Sequence, residues 1–267
     1  MIKKKTYLLL LLMGILRANA QDIHFSQFDR SYLNLNPALT GQFDGTYRLN
    51  ANLRNQWKSV SQPYQTFSFA ADAHDISQNK GLHAGLAFYH DQAGAGELTT
   101  TQFATSIAYS RAINRDSNLF VSIGIQPTYT LKSIDFSLLK FDQQYHKGSY
   151  DPNASSGENF DRSSLSYLNF HSGIAFSYEL AKRKKFTLGT GVFNLLSPAQ
   201  SFYSENVKLD KRFTTHAGAE YILTEDIDAL PALLFSTQGK FTEMVFGSSF
   251  RYYLDRSYKK QNLYAGI

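Results

Sequence analysis

The chain has 267 residues, enough for one large all-β domain or two small ones, and contains no cysteine, which excludes a disulfide scaffold, a thiol nucleophile and a lipid anchor on an N-terminal cysteine. Its formal net charge of +5 falls to +1 once the four basic residues of a leader (Lys3, Lys4, Lys5 and Arg17) are set aside, so no basic face argues for nucleic acid. Aromatic residues make up 15%, with 17 Tyr and 21 Phe against one Trp, a balance that favours strands and fits the aromatic girdles of a membrane barrel.

Residues 1–20, MIKKKTYLLLLLMGILRANA, join a basic start to an apolar run and an Ala18-x-Ala20 end. That pattern predicts a secretory signal peptide cleaved before Gln21. The apolar run is too short to cross a bilayer as a helix, and no later segment approaches the ~20 residues required. Residues 21–45, QDIHFSQFDRSYLNLNPALTGQFDG, show little regular period, and Asn36-Pro37 and Gly41 mark turns. Phe25, Phe28, Tyr32 and Leu35 give this stretch apolar anchors. The stretch is either a flexible periplasmic tail or a plug folded back into a barrel mouth, and the anchors favour ordered packing over a free tail.

From Thr46 the sequence alternates. In TYRLNANLRNQW (46–57), Tyr47, Leu49, Ala51, Leu53 and Trp57 fall on one side, and Arg48, Asn50, Asn52, Arg54 and Gln56 on the other. Period two is the mark of a strand with unlike faces. Similar runs recur at 64–74, 82–90, 101–112, 118–131, 168–180, 186–196, 212–223, 229–239 and 243–254, and NLYAGI closes the chain. Eleven strands are therefore expected, most long enough to span a bilayer when tilted.

Alternation alone does not say which face is wet. A soluble sandwich turns its apolar face inward, and an outer-membrane barrel turns it to lipid. The links between strands favour the barrel. Those after even strands are compact and polar (DISQNKG, INRDSN, KRKK, TEDID, DRSYKKQ), whereas those after odd strands vary, and residues 132–164 form a long one. Short periplasmic turns opposite longer external loops give this asymmetry, with 239–242 as an exception. The polar face is rich in Gly, Ser, Thr, Asn and Ala, as a crowded barrel interior requires. A secreted β-sandwich is the alternative.

The chemistry-bearing residues form no catalytic set. Seven histidines are scattered without metal-ligand spacing. Gly94–Gly96 precedes a strand, so it lacks the helix N-terminus that cradles phosphate. His90-Asp91 is the only local pair of catalytic type, and no further partners stand out. Arg48 and Arg54 lie on the polar face of the first strand. They either hold a plug or select a solute, or they simply pair with carboxylates such as Asp72, Glu179, Glu220 or Glu243, as enclosed charges must. The second reading is preferred. Trp57 is expected at the rim, in the outer aromatic girdle.

The blocks HFSQF (24–28), LNPALTG (35–41), YRLNANLRNQW (47–57) and PYQTFSFAAD (63–72), with YDPNASSGENF and VFNLLSPAQSF later on, resemble the PorP/SprF family, outer-membrane proteins of the type IX secretion and gliding system. The resemblance implies an outer-membrane β-barrel with no catalytic activity, no catalytic residues to transfer and no cofactor. Its implied partners are translocon components and the C-terminal domain of a secreted adhesin. The matched positions His24, Phe25, Phe28, Asn36, Pro37, Arg48, Arg54, Asn55, Gln56 and Trp57 mark either a functional core or the N-terminal lock of the fold. The alternative function is an outer-membrane channel or transporter for a small or hydrophobic solute.

The expected organisation is thus a signal peptide at 1–20, a periplasmic or plug segment at 21–45 and an all-β, antiparallel transmembrane β-barrel at 46–267. Single-chain bacterial barrels close with even strand numbers. Eleven strands and an abrupt stop at Ile267 lead to the expectation of a chain incomplete at its C-terminus, unless 132–164 hides a further strand.

Overall fold

The computed structural model describes residues 23, 25, 28–56, 62–76, 81–146, 149–158, 160–203, 206–254 and 262–266. The leader at 1–20, its cleavage point, His24 and Trp57 lie outside the described residues.

The strands are β1 (Tyr47–Gln56), β2 (Tyr64–Ala73), β3 (Leu82–Ala93), β4 (Leu98–Ala112), β5 (Leu119–Ser133), β6 (Tyr145–His146), β7 (Ser149–Tyr150), β8 (Ser164–Ala181), β9 (Lys184–Phe193), β10 (Arg212–Ile222), β11 (Ile227–Gln238), β12 (Phe241–Tyr253) and β13 (Asn262–Gly266). Eleven of them form one antiparallel meander in the order β1-β2-β3-β4-β5-β8-β9-β10-β11-β12-β13. The two-residue strands β6 and β7 pair only with each other, so among the described residues the long link adds no strand to the main sheet. No described helix is long and apolar enough to cross a membrane.

The apolar face of the sheet points outward. Leu49 is 72% exposed and Phe246 74%, and Leu53, Leu86, Ile107, Ile123, Leu168, Leu188 and Met244 share that face. The buried strand residues are instead largely polar, among them Thr66, Ser68, Asp72, Ser106, Ser122, Gln126, Thr128, Asn169, Thr214 and His216. A soluble sandwich would show the reverse. An outward apolar band around a polar interior is the arrangement that lipid imposes on a sheet.

Some links differ from expectation. Lys184 and Lys185 belong to β9, leaving only Lys182-Arg183 between β8 and β9. Arg183 takes the left-handed backbone (φ 65°) that so tight a turn needs. β3 and β4 run on past the expected limits to Ala93 and back to Leu98, so residues 94–97 are the tip of a long hairpin. Both extensions continue through polar residues, whose hydropathy pattern no longer reports a strand once it passes the rim.

The described residues between Ile23 and Phe43 lie against the polar face. They form a 3-10 turn (Phe28–Arg30), one helical turn (Tyr32–Leu35) and a second 3-10 turn (Pro37–Leu39). Two apolar clusters hold them. Phe28, Leu35, Ala38 and Leu39 pack with Ala175 and Leu234, and Val245 packs against that group. Phe25 and Leu33 pack with Ala87, Tyr89 and Ala104.

Candidate functional site

The inner segment has polar contacts all round. Asn36, wholly buried, is the hub. Its Oδ1 accepts from the Ala38 N–H (2.9 Å) and caps the second 3-10 turn. Its Nδ2 donates to the carbonyls of Ile174 on β8 (3.0 Å) and Thr190 on β9 (3.2 Å), and faces Nε2 of His216 on β10 (3.0 Å). Pro37 follows, where an N–H would have found no partner inside the turn. Thr40 Oγ1 donates to the Pro37 carbonyl (2.7 Å), so Ser106 on β4 is the donor in the 2.5 Å Thr40–Ser106 contact. Ser122 on β5 donates to the Ala38 carbonyl (2.7 Å), and Thr214 on β10 to the Leu35 carbonyl (2.8 Å).

Close approach depends on missing side chains. The registers align Ala108, Gly124, Gly173, Gly191 and Thr214 across β4, β5, β8, β9 and β10. A Cβ on Gly124 would overlap the backbone of Pro37 and Ala38, and one on Gly173 would overlap the Asn36 side chain. A Cβ on Gly189 would stand 2.5 Å from His216 Nε2 and 2.8 Å from Asn36 Nδ2. The row is a trough shaped to Asn36–Ala38.

The exit of the segment is held by charge. Arg48 on β1 makes two hydrogen bonds to Asp72 on β2 (2.9 and 2.6 Å) and one to the Leu39 carbonyl (3.2 Å). These two residues are direct cross-strand partners. The Arg48 guanidinium also lies 3.9 Å from the ring centre of Tyr32. Asp72 in turn accepts the Gly41 N–H (2.7 Å), and His74 Nδ1 donates to the Gly41 carbonyl (2.7 Å). Near Ile23, Arg212 donates to the carbonyls of Ile23 (3.3 Å) and Asn34 (3.1 Å). Arg30 lies over the Tyr264 ring of β13 at 4.1 Å. Every strand of the main sheet from β1 to β13 thus contributes to the surroundings of this one short segment, with β12 represented by Val245 and by Glu243 on a cavity wall. A sheet meets that condition only by curling around the segment.

Of the residues singled out in the sequence, Phe25, Phe28, Asn36, Pro37 and Arg48 come together in this assembly. Arg54 and Gln56 are half-buried on the same inner face of β1. Arg54 lies within electrostatic reach of Asp91 and Glu243, while Glu220 pairs with Arg251 and Glu179 with Lys185. Asn55 faces outward. His90 and Asp91 part company. His90 Nδ1 meets Thr101 and Asp91 accepts from Thr66, since neighbours on a strand point to opposite faces.

Sequence reading did not single out Thr40, Ser106, Arg212, His216 or the glycine row. Parity placed several of them on the polar face, but only register shows that they meet one segment. A second network, on β11, β12 and the β8–β9 turn, was also not singled out. Asp228 is fully buried and accepts from Arg183 (2.6 Å), Arg251 (2.7 Å) and the Tyr253 hydroxyl (2.8 Å). The hydrogen bond to Asp228 raises the pKa of Arg183 in the β8–β9 turn. The ladder also gathers three residues that looked scattered: His74, Asp75 and His83 place ligand-type atoms within 4.8 Å of one another.

Two small cavities flank the segment, one beside Tyr32, Arg48 and Asp72 and the other beside Phe25, Phe28, Arg212 and Glu243. A family model described as "Type IX secretion system membrane protein PorP/SprF" matches residues 17–267. No curated protein matches the chain.

Proposed function

The chain belongs to the PorP/SprF family of type IX secretion system membrane proteins, and from that premise we propose that it works in the outer membrane as a non-enzymatic anchor, holding the C-terminal domain of a secreted adhesin beside the translocon. In this reading residues 21–45 form a fixed plug, residues 46–267 form the barrel, and residues 1–20 are the leader that delivers the chain.

One observation carries the reading. The interior is occupied at the level of Asn36–Ala38 by the protein's own backbone, seated in a trough of glycines. A solute channel needs a continuous path past this point, and an anchor needs none. The outward apolar face supports placement in a bilayer. The loops at 134–163 and 194–211 support a docking role, because Phe136, Phe160, Phe202 and Tyr203 form an aromatic group there.

The test is affinity capture of the tagged protein from detergent-solubilised outer membranes, paired with planar-bilayer recording. Co-purification of translocon components with an adhesin's C-terminal domain, without steady conductance, is the expected result. Open-channel conductance with no protein partner would instead establish the solute-channel reading.

A further inference from the structure

We propose that His74, Asp75 and His83 form a binding site for one borderline divalent transition-metal ion, of the zinc class, at the β2–β3 turn. The first observation is proximity. His74 Nε2 lies 3.4 Å from Asp75 Oδ2, and His83 Nδ1 lies 3.9 Å from Asp75 Oδ1. Ligand atoms around a tetrahedral zinc at ~2.0–2.2 Å stand about 3.3–3.6 Å apart, so the first pair has that spacing and the second needs only a small closure.

The second observation is the protonation pattern. The Gly41 carbonyl can only accept, so His74 Nδ1 carries the hydrogen in their 2.7 Å contact. In the neutral ring the lone pair is then on Nε2, facing a carboxylate oxygen. Two acceptors face each other across a gap that a cation fills. A ring N–H given to a backbone carbonyl is also how metal-binding histidines are oriented.

His83 is fixed in the complementary form. Its Nδ1 accepts the Asp75 N–H (3.1 Å), so Nε2 carries the hydrogen and donates to Ser110 Oγ (2.7 Å). The Nδ1 lone pair therefore already points at Asp75. On metal binding it exchanges the long amide contact for the ion, and the N–H of this half-exposed residue passes to water. Asp75 Oδ1 accepts the Gly81 N–H (2.6 Å), which fixes the carboxylate while both of its oxygens keep a lone pair for the metal. The two rings lie 4.6 Å apart, one fully buried and the other open to solvent, so the ion has a route in. Two imidazoles and one carboxylate select zinc, copper or nickel over calcium or magnesium. Through His74 and Gly41 the ion would brace the exit of the inner segment.

The experiment is calorimetric titration of Zn2+ into EDTA-treated full-length protein in detergent. One saturable site per chain is expected, weakened at least about tenfold in His74→Ala and in Asp75→Asn. Because His83 is buried, His83→Gln is read by Co2+ absorption in protein that keeps its folded, heat-modifiable migration, and loss of the tetrahedral bands is expected. No saturable Zn2+ binding below millimolar concentration, or equal binding by the wild type and both variants, would overturn the proposal.

Discussion

At the scale of single residues, the inner segment hangs on Asn36 and Arg48. Asn36 supplies four contacts from one fully buried amide, to its own turn and to three strands. Asn36→Ala removes them all and takes its amide donor from the Ile174 and Thr190 carbonyls, so a loss of about 3 kcal/mol is expected in urea unfolding of the reconstituted protein. Half-buried Arg48 pairs with buried Asp72, and Asp72 also holds the Gly41 N–H. Asp72→Ala should cost about 3–5 kcal/mol, because it strands a guanidinium. The double variant Arg48→Met/Asp72→Leu should cost clearly less, since neither charge is then left alone; equal losses would show that the pair contributes little beyond its packing. Arg48 was legible as an inward charge from the alternation of β1, and Asp72 as one of four candidate partners. Choosing among the four needed the register, which no local pattern carries.

At the scale of elements, all eleven strands of the sheet were legible because their faces meet unlike surroundings. Their ends were less so. The β8–β9 turn shrank to two residues, since lysines continue a ladder as readily as they populate a loop. The small residues on the polar face were legible as crowding, but their role was not. Gly124, Gly173 and Gly191 line up only after three strands are paired, and the Asn36–Ala38 stretch that crowds Gly124 and Gly173 lies more than eighty residues away in the chain. This gives a paired test. Gly124→Ala drives a methyl group into backbone that cannot rotate aside, and a loss of about 3 kcal/mol, the upper end for overpacking, is expected. Gly218→Ala, on the same inner face, meets nothing nearer than the Pro231 carbonyl at 3.8 Å, and its stability should stay within about 0.5 kcal/mol of wild type. Equal effects from the two would mean that the trough does not seat the segment.

At the scale of the whole molecule, the question is whether the sheet encloses a fixed filler or a removable gate. The two apolar clusters, the Asn36 hub and the Arg48–Asp72 clasp together reach strands from β1 to β11, so moving the segment would break all of them together. A gate would need one weak hinge instead. The chain has no cysteine, so a single engineered disulfide has no competitor. Thr40 and Ser106 offer the place, with side-chain oxygens 2.5 Å apart, near the ~2.05 Å of a sulfur–sulfur bond. In Thr40→Cys/Ser106→Cys the oxidised bridge fastens the segment to β4. A fixed filler predicts that adhesin reaches the cell surface at the wild-type level in oxidised cells and that adding dithiothreitol changes nothing. A gate predicts a secretion block that dithiothreitol relieves. Surface adhesin measured by whole-cell immunoassay, with bridge formation confirmed by mass spectrometry, separates the two, and a reversible block would refute the anchor reading at its foundation.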